Sequence, residues 1–486
     1  MSGLVTIALI SAPSIAQAAT PTPAPPPTTC ELGPHWLSAE NALKQGRSTS
    51  LFKTTPSAGA LQIYTKQTEV HCGNAIEVVA ASKLSPYRIE LWRTGWYGGA
   101  GARRVFVSPI KPRTADRIVP GQSQELADSV DFGFVTASGG VQLDIPVTNA
   151  MKPGIYFARV ITAKGISADA PFVVSSPRRS ASTLFVASMM TAYDYNAWGG
   201  SNGYHVNYRP AWLKPKEKMP KLWSTRTSVQ KPWQQFHAIG DGGDASLASW
   251  IERSGANLDY TADVAITETS DLSAYRTLVF GQHPEYETYN GLNRIMEAAR
   301  HGTNLAIFGS NAFYWNADTT VTDGALQSLE VDRTNGASWF KNFDLATHNT
   351  IGTGIACGST YGSKLHIAKV DNPLFRGVPP ALVTKPIPGI FEQEVDNSTT
   401  STLANTEVLA ESPDIQCKDA TPNLVGKGQM VESRLESGAR IFDAGGFGMT
   451  CAALNFVQCP KKYKATPATT SFARIVISNV IAEYSK

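Results

Sequence analysis

The stretch that decides the fold runs from Thr277 to Asn311 and reads TLVFGQHPEYETYNGLNRIMEAARHGTNLAIFGSN. A short apolar run at Thr277–Gly281 is followed by a helical pattern from Thr288 to Arg300, and a second apolar run follows at Asn304–Phe308. The order strand, helix, strand is typical of two parallel strands joined by a helical crossover. We therefore expect an α/β domain with a doubly wound, mainly parallel sheet around this unit.

The same alternation continues on both sides of this unit. Strand patterns occur at Thr183–Ala187, Leu258–Ile266 and Ala439–Asp443, and helical spacing occurs at Asp244–Ser254 and Ser471–Tyr484. A turn-rich boundary lies just before the first of these strands, after residue 176. We assign residues 181–486 to the α/β domain, with helices on both faces of its sheet.

The preceding region, residues 58–176, has a different pattern of short strands and turns. The predicted strands, rich in Val, Ile, Tyr and Phe, are Ala75–Ala81, Tyr87–Trp92, Val130–Val135, Val141–Ile145, Ile155–Ile161 and Pro171–Val174. Several alternate apolar and polar residues, and clusters of Pro, Gly, Asn and Ser separate them. The pattern predicts an antiparallel β-sandwich of immunoglobulin-like type.

The N-terminal residues are typical of an exported protein. An apolar run at Gly3–Ala12 precedes a small-x-small cleavage pattern at Ala16–Ala18, so residues 1–19 are predicted to be a signal peptide that lacks its basic start. Residues 20–57 begin with a Pro/Thr-rich linker at Pro21–Thr29. The apolar run is too short to span a bilayer, so we expect a secreted or cell-surface protein rather than an integral membrane protein.

Cysteine usage and charge agree with this location. Six cysteines, an even number, suggest disulfides in an exported chain. The predicted pairs are Cys30–Cys72, Cys357–Cys417 and Cys451–Cys459. The chain carries 43 basic and 40 acidic residues, so its net charge of +3 gives no reason to expect a nucleic acid as partner.

Three polar and aromatic segments follow predicted strands of the α/β domain. They are Tyr193–Gly200, Gln282–Tyr286 and Gly309–Trp315. Open parallel sheets bind ligands beyond the carboxyl ends of their strands, so these segments should meet at one site. Aromatic residues that only cap the core are the alternative reading of each segment.

The residue types exclude one chemistry and leave another open. The chain has no GxSxG nucleophile motif, and its cysteines are better explained as disulfides, so acyl-enzyme chemistry is not expected. The remaining candidates, which could position a water molecule or hold a metal, are Asp194, His283, Glu285, Tyr286, Glu330, Glu392 and Glu394.

Several of these segments resemble one known family. The stretch Arg88–Arg103, the segments Tyr195–Gly200 and His283–Tyr286, and residues Asn304–Trp315 and Glu394–Asp396 are similar to the large subunit of N,N-dimethylformamidase. The resemblance covers roughly residues 60–486. It implies a β-sandwich followed by a domain like a glutamine amidotransferase without its cysteine. It also implies an enzyme that hydrolyses a small formamide and holds a mononuclear iron with two tyrosines and one glutamate. Phenolate and carboxylate oxygens suit Fe(III).

The resemblance also assigns roles to individual residues. Tyr286 matches one iron-binding tyrosine and Glu330 matches the glutamate, while Ala245 stands where the second tyrosine is expected, with Asp244 beside it as the substitute ligand. Glu394 matches a glutamate near the cleft and is the candidate general base. We assign His283, in the same segment as Tyr286, as its catalytic partner.

These observations leave three hypotheses. The first is an exported, metal-dependent hydrolase of a small amide, acting as a homo-oligomer or with a small partner subunit. The second is a non-catalytic cell-surface protein that binds a glycan through the aromatic loops between Trp198 and Trp233, motivated by Ala245 at a ligand position. The third, cysteine-dependent amidotransferase chemistry, requires a free thiol.

Overall fold

The structure is a computed structural model of the chain. It describes residues 30–43, 46–52, 59–122, 134–176, 178–204, 225–240, 242–268, 271–322, 325–333, 338–340, 347–399, 401, 403–413, 415, 417 and 426–486. The predicted signal peptide, the Pro/Thr-rich linker, most of the predicted strand Val130–Val135 and much of the aromatic loop region after Trp198 lie outside these residues.

The described residues form a mixed α/β protein that is rich in strands. Its strands, numbered β1 to β27 in chain order, are Gly46–Arg47, Leu61–Thr65, Glu69–His71, Ala75–Ser82, Tyr87–Thr94, Ala102–Val107, Val119–Gln122, Val135–Ser138, Val141–Pro146, Gly154–Thr162, Ser167–Ser175, Thr183–Ala187, Arg226–Ser228, Asp259–Ala262, Thr277–Phe280, Tyr286–Glu287, Asn304–Ile307, Trp315–Asn316, Asp318–Thr322, Ala325–Glu330, Gly354–Thr360, Lys364–Ile367, Ile387–Pro388, Gln393–Asn397, Thr406–Ser412, Gly428–Arg434 and Arg440–Asp443. Its helices, α1 to α8, are Trp36–Asn41, Met189–Tyr195, Asp244–Glu252, Tyr289–Arg300, Thr347–Thr350, Pro380–Val383, Gly448–Ala452 and Pro467–Tyr484.

The N-terminal region contains two facing sheets and a small third sheet. The first has the strand order β1-β6-β5-β10-β11-β3, the second has the order β2-β4-β9, and the third pairs β7 with β8. Apolar side chains from the two facing sheets, such as Ile63, Ile89 and Phe172, belong to one buried core. All neighbouring strands here are antiparallel except β3 and β11, which pair in parallel. The two-layer arrangement follows from the alternating pattern of these strands; the immunoglobulin-like type stays a prediction.

The C-terminal region contains a nine-stranded sheet of order β14-β12-β15-β17-β27-β26-β25-β22-β23. Its first five strands are parallel, as the sequence predicts for this unit. Leu278 and Phe280 of β15 belong to a core cluster that contains α4, whereas Val279 belongs to the cluster that contains α3 and α8. Because side chains alternate between the two faces of a strand, helices cover both faces of this parallel half.

The prediction of a mainly parallel sheet does not extend to the other half. Strands β22, β23, β25 and β26 are antiparallel to their neighbours and extend the sheet beyond β27. The predicted strand Leu258–Ile266 is also shorter, since β14 ends at Ala262 and a 3-10 turn begins at Asp263. The Asp263 carboxylate accepts backbone N–H groups from Met190 and Val264 and so fixes this turn.

The covalent predictions are confirmed. The structure forms the disulfides Cys30–Cys72, Cys357–Cys417 and Cys451–Cys459, with Cα–Cα distances of 5.6, 5.5 and 4.9 Å. All six cysteines are therefore paired, which removes the nucleophile that amidotransferase chemistry would need. Within the ranges given above, no helix has the length and apolar content needed to cross a membrane.

A buried ion pair joins the two regions. Arg93 of β5 contacts Glu252 at the end of α3 at 2.5 Å, and both side chains are fully buried. Glu252 also accepts the Tyr260 hydroxyl at 2.7 Å, and Arg93 donates to the Pro153 carbonyl at 2.7 and 2.9 Å. The pair is satisfied by further hydrogen bonds, which a buried charge requires, and it fixes α3 against the N-terminal sheets.

Candidate functional site

The three polar segments that follow the parallel strands meet at the carboxyl edge of the sheet, as predicted. The Tyr286 hydroxyl donates to Asp194 of α2 at 2.9 Å, which joins the first segment to the second. The Phe313 amide donates to the Pro284 carbonyl at 2.7 Å, and Trp315 pairs with Tyr286 in a short parallel ladder. One edge of the sheet therefore carries one cluster of polar and aromatic side chains.

Asp244 holds two of the strand ends in place. Its carboxylate accepts the Ser188 amide at 2.7 Å, after β12, and the Gln282 amide at 2.8 Å, after β15. A Cβ atom at Gly281 would lie 1.8 Å from its Oδ1, so only glycine fits there. Burial raises the pKa of Asp244 to about 6. The structure thus gives this predicted metal ligand a positioning role.

His283, Glu285 and Glu394 form what we call the acid–base cluster. The Nε2 atom of His283 lies 3.0 Å from Oε2 of Glu394 and 3.4 Å from Oε2 of Glu285. The side chains of His283 and Glu285 are 0% and 3% exposed, whereas that of Glu394 is 12% exposed. The structure brings together the two predicted catalytic residues, and Glu394 is the member that water can reach.

The hydrogen-bonding capacity of this cluster is not used up by its neighbours. Nε2 of His283 and Oε2 of Glu285 are buried and form no aligned hydrogen bond with any residue that the structure describes. On the other side of the ring, Nδ1 of His283 lies 2.8 Å from Nε2 of His237. Burial and the neighbouring His283 hold the pKa of His237 well below its usual value, so His237 is neutral. The hydrogen bond between these two ring nitrogens therefore joins a neutral His237 to His283.

The charges of the cluster set its protonation near neutral pH. Burial disfavours a charged His283, but the carboxylates of Glu394 and Glu285 outweigh burial and raise its pKa. Burial, with Glu394 adding to it, raises the pKa of Glu285 to about 7. The cluster can therefore both release and accept a proton close to pH 7, which is what a general acid and base require.

Strained backbone positions Glu394. The Asn311 side-chain amide donates to Oε2 of Glu394 at 2.7 Å, and Ser310 donates to the Glu394 carbonyl at 2.7 Å. Asn311 has a φ angle of 53° and Gln393 one of 67°, in the left-handed region that residues with a side chain seldom adopt. The backbone N–H of Asn311 also donates to the Asp396 carboxylate at 2.8 Å. These bonds hold the strain and direct the carboxylate toward His283.

Aromatic rings surround the imidazole of His283. Tyr195 stacks on His237 with a centroid distance of 4.0 Å, and its ring lies 5.8 Å from that of His283. Phe447, which follows β27, lies 4.7 Å from His283. These walls lower the local polarity, which strengthens electrostatic interactions within the cluster.

Beside this cluster lies a second set, Asp194, Tyr204, Tyr286 and Arg333, which we call the tyrosine–arginine network. Arg333 donates to Asp194 at 2.5 Å and to the Tyr286 hydroxyl at 2.8 Å. The hydroxyls of Tyr286 and Tyr204 are 2.8 Å apart, and Tyr204 donates to Oε1 of Glu285. The network therefore supports the acid–base cluster through Tyr204. Burial raises the pKa of both phenols well above the usual value.

Two of the predicted iron ligands, Tyr286 and Asp244, already have hydrogen-bond partners, and the third, Glu330, is exposed. The Tyr286 hydroxyl already accepts from Arg333, whose positive charge opposes a second cation. Asp244 is bound by two backbone amides, and Glu330 lies exposed at the end of β20. Among the side chains that the structure describes, no group of three His, Cys, Asp or Glu residues has the arrangement of a metal site. These three residues thus do not fit the iron centre implied by the resemblance.

The structure places three residues in the site that the sequence did not predict there: Tyr204, His237 and Arg333. Arg333 follows the predicted ligand Glu330 by three residues, and it is this side chain that enters the network. His237 and Tyr204 belong to a stretch of sequence without periodicity, so no pattern singled them out. Asn196 shows what fixes part of this stretch, since its side chain donates to the Pro232 carbonyl and accepts the Gln234 amide, both at 3.0 Å.

Comparison with known families agrees with the resemblance found in the sequence. The family profile described as N,N-dimethylformamidase beta subunit-like, C-terminal matches residues 88–459, which is more than half of the chain. A comparison with curated proteins found no match. The matched range contains the last strands of the β-sandwich and every residue of the acid–base cluster and the tyrosine–arginine network. The chain belongs to the N,N-dimethylformamidase beta subunit-like, C-terminal family.

Proposed function

We propose that the protein is a hydrolase that cleaves the C–N bond of a small amide, with the acid–base cluster as its catalytic centre. The observation that carries this proposal is the position of His283 Nε2, 3.0 and 3.4 Å from two carboxylates, one of which has a pKa of about 7. Membership of the dimethylformamidase-like family supports the amide as substrate.

In the proposed reaction, water attacks the amide carbonyl while Glu394, the exposed member of the cluster, takes a proton from it. The C–N bond then breaks, and Glu285, which holds a proton up to about pH 7, gives that proton to the departing nitrogen. His283 lies between the two carboxylates, so a proton can return from Glu394 to Glu285 through its Nε2. One water is consumed, and an acid and an amine are formed.

The surroundings of the cluster favour a small substrate with apolar substituents. Tyr195 and Phe447 present ring faces and edges near His283 rather than charged groups. Alkyl groups on the amide nitrogen would contact these rings without loss of hydrogen bonds, whereas a charged substituent would be desolvated at a cost. N-alkyl formamides have this character.

Metal dependence and location are separate proposals. Iron, when bound, would acidify a water molecule, but no step above uses it, because Tyr286 and Asp244 are occupied by other partners and Glu330 is exposed. The three disulfides support an exported location. The family's beta subunit-like description supports a partner subunit.

The fold types are proposals as well. The two facing N-terminal sheets support an immunoglobulin-like sandwich, and the parallel half of the nine-stranded sheet supports a doubly wound domain.

A panel of amides tests the function. The purified protein is incubated with N,N-dimethylformamide, N-methylformamide, N,N-dimethylacetamide and a short peptide amide, and the released amine is quantified. We expect turnover of the formamides and none of the peptide. Absence of amine release from every compound would contradict the proposal and favour the glycan-binding alternative. Elemental analysis of the active preparation tests metal dependence: stoichiometric iron would support it, and active protein without a bound metal would exclude it.

A further inference from the structure

A cavity lies at the end of α3 that is opposite to Asp244. Its volume is about 630 Å³, and its walls come from the end of α3, the first three turns of α8 and the loop around Arg376. Three arginines line it, Arg253, Arg376 and Arg474, and no lining residue is an Asp or a Glu. Hydroxyl and amide side chains, including Ser471 and Ser478, complete the walls.

Two of these arginines lie against one indole ring. The guanidinium groups of Arg253 and Arg474 are 4.9 and 4.6 Å from the centroid of Trp250. Arg474 is held there by the Ala453 carbonyl, which accepts its Nε at 3.0 Å. Neither of these two arginines forms an ion pair with a residue that the structure describes, whereas the third, Arg376, lies 3.7 Å from Glu483. Two like charges beside one ring, without a counter-ion, attract an anion.

Hydroxyl groups add polar atoms to the same cavity. Ser471 and Ser478 line it, and Oγ of Ser478 accepts the Trp250 indole N–H at 3.2 Å. A hydroxyl that accepts a hydrogen bond can still donate one. Burial and then the charge of Arg253 lower the pKa of Arg474, which agrees with an excess of positive charge.

We propose that this cavity binds a small organic anion that combines a carboxylate, sulfate or phosphate group with several hydroxyls, as an acidic sugar does. Arginine recognises such oxyanions through paired N–H donors. The volume exceeds that of a bare anion, and Ser471 and Ser478 offer hydroxyls to the remainder of the ligand. The site is distinct from the acid–base cluster and does not depend on the proposed amide hydrolysis.

Calorimetric titration with four probes tests this site on the full protein: glucuronate, glucose 6-phosphate, inorganic phosphate and glucose. We expect the two acidic sugars to bind, inorganic phosphate to bind more weakly, and glucose not to bind. The comparison of glucuronate with glucose 6-phosphate separates carboxylate from phosphate recognition. No binding of any acidic probe, or equal binding of glucose, would overturn the proposal.

Three variants sharpen the titration. Arg253→Gln should weaken binding about tenfold or more, since it removes a charge-assisted contact. Ser471→Ala should weaken it about threefold, because it removes a hydroxyl that lines the cavity. Arg300→Gln, at an exposed position on α4, is the matched control. If Arg253→Gln folds normally and binds the acidic sugar as tightly as the control does, the proposal is wrong.

Discussion

The acid–base cluster and the tyrosine–arginine network lie side by side at one sheet edge, and both are buried and charged. In the network, the Tyr286 hydroxyl lies within hydrogen-bond distance of Asp194, Tyr204 and Arg333, which uses its full capacity as a donor and acceptor. In the cluster, His283 Nε2 and Glu285 Oε2 face each other without an aligned hydrogen bond. The donor Tyr204 connects the two sets.

This difference indicates that the network supports the site, whereas the cluster transfers protons. The hydrogen bonds of the Tyr286 hydroxyl hold the network in one geometry, and its phenols, with pKa values well above the usual one, do not exchange protons near neutral pH. The cluster keeps unused atoms next to a carboxyl with a pKa of about 7, so its protons can move. Substitutions in the acid–base cluster should therefore mainly change activity, whereas substitutions in the tyrosine–arginine network should mainly change the free energy of unfolding.

The largest effect is expected for Glu394→Gln. Loss of the general base should lower kcat by about 10³-fold, equivalent to about 4 kcal/mol in the barrier, with the melting temperature almost unchanged. Amine release from the best formamide of the panel measures this effect. Glu297→Gln, at an exposed site on α4, is the control. A kcat within threefold of wild type would remove Glu394 from the reaction.

Asp194→Asn should mainly reduce stability. It takes away the carboxylate that Arg333 contacts at 2.5 Å while the arginine stays charged and buried, so we expect the free energy of unfolding to fall by about 3–5 kcal/mol. Urea denaturation followed by circular dichroism measures it. A loss below 1 kcal/mol would mean that the network is not the support described above.

Glu285→Gln should change how activity depends on pH. The folded pKa of about 7 lies above the ordinary 4.5, so wild-type activity should fall above about pH 7 as Glu285 loses its proton. The variant should be slower by about 10- to 100-fold and lack this decline. Because the folded state holds this proton more tightly, wild-type stability should also drop as the pH rises from about 4.5 to 7, and the variant should lose this slope. An unchanged pH profile would contradict the role of Glu285.

Tyr286→Phe should have the smallest effect on the reaction. Removal of one hydroxyl from the network should lower the free energy of unfolding by about 1–2 kcal/mol and kcat by less than threefold. The same two assays measure both quantities. A loss of activity above 100-fold in a stable variant would instead favour the metal-ligand role that the family resemblance assigns to Tyr286.

Sequence patterns predicted the parts of the fold that follow from local chemistry. The apolar strands around Thr277–Gly281 are buried on both faces and therefore recognisable, and their polar ends identified His283 in the site. The antiparallel strands β25 and β26 escaped prediction because neither the burial of Thr406–Ser412 nor that of Gly428–Arg434 alternates regularly.

The site was only partly predictable because its geometry depends on side-chain direction. The family resemblance assigned Glu330 and Asp244 as ligands, but the chain turns after β20 so that Arg333 enters the site, and the Asp244 carboxylate accepts two backbone amides. His237 reaches His283 from an irregular segment that carries no periodic signal. Contacts of this kind arise from tertiary packing, which a single sequence does not encode as a pattern.

The most direct test of the central claim is hydrolysis of N,N-dimethylformamide in ¹⁸O-labelled water by the wild-type protein and by Glu394→Gln. If the acid–base cluster directs water onto the amide carbonyl, the wild-type protein releases dimethylamine and an equal amount of formate that contains one ¹⁸O atom, and the variant releases almost none. Release of no amine by the wild-type protein, or equal release by the two proteins, would contradict the account.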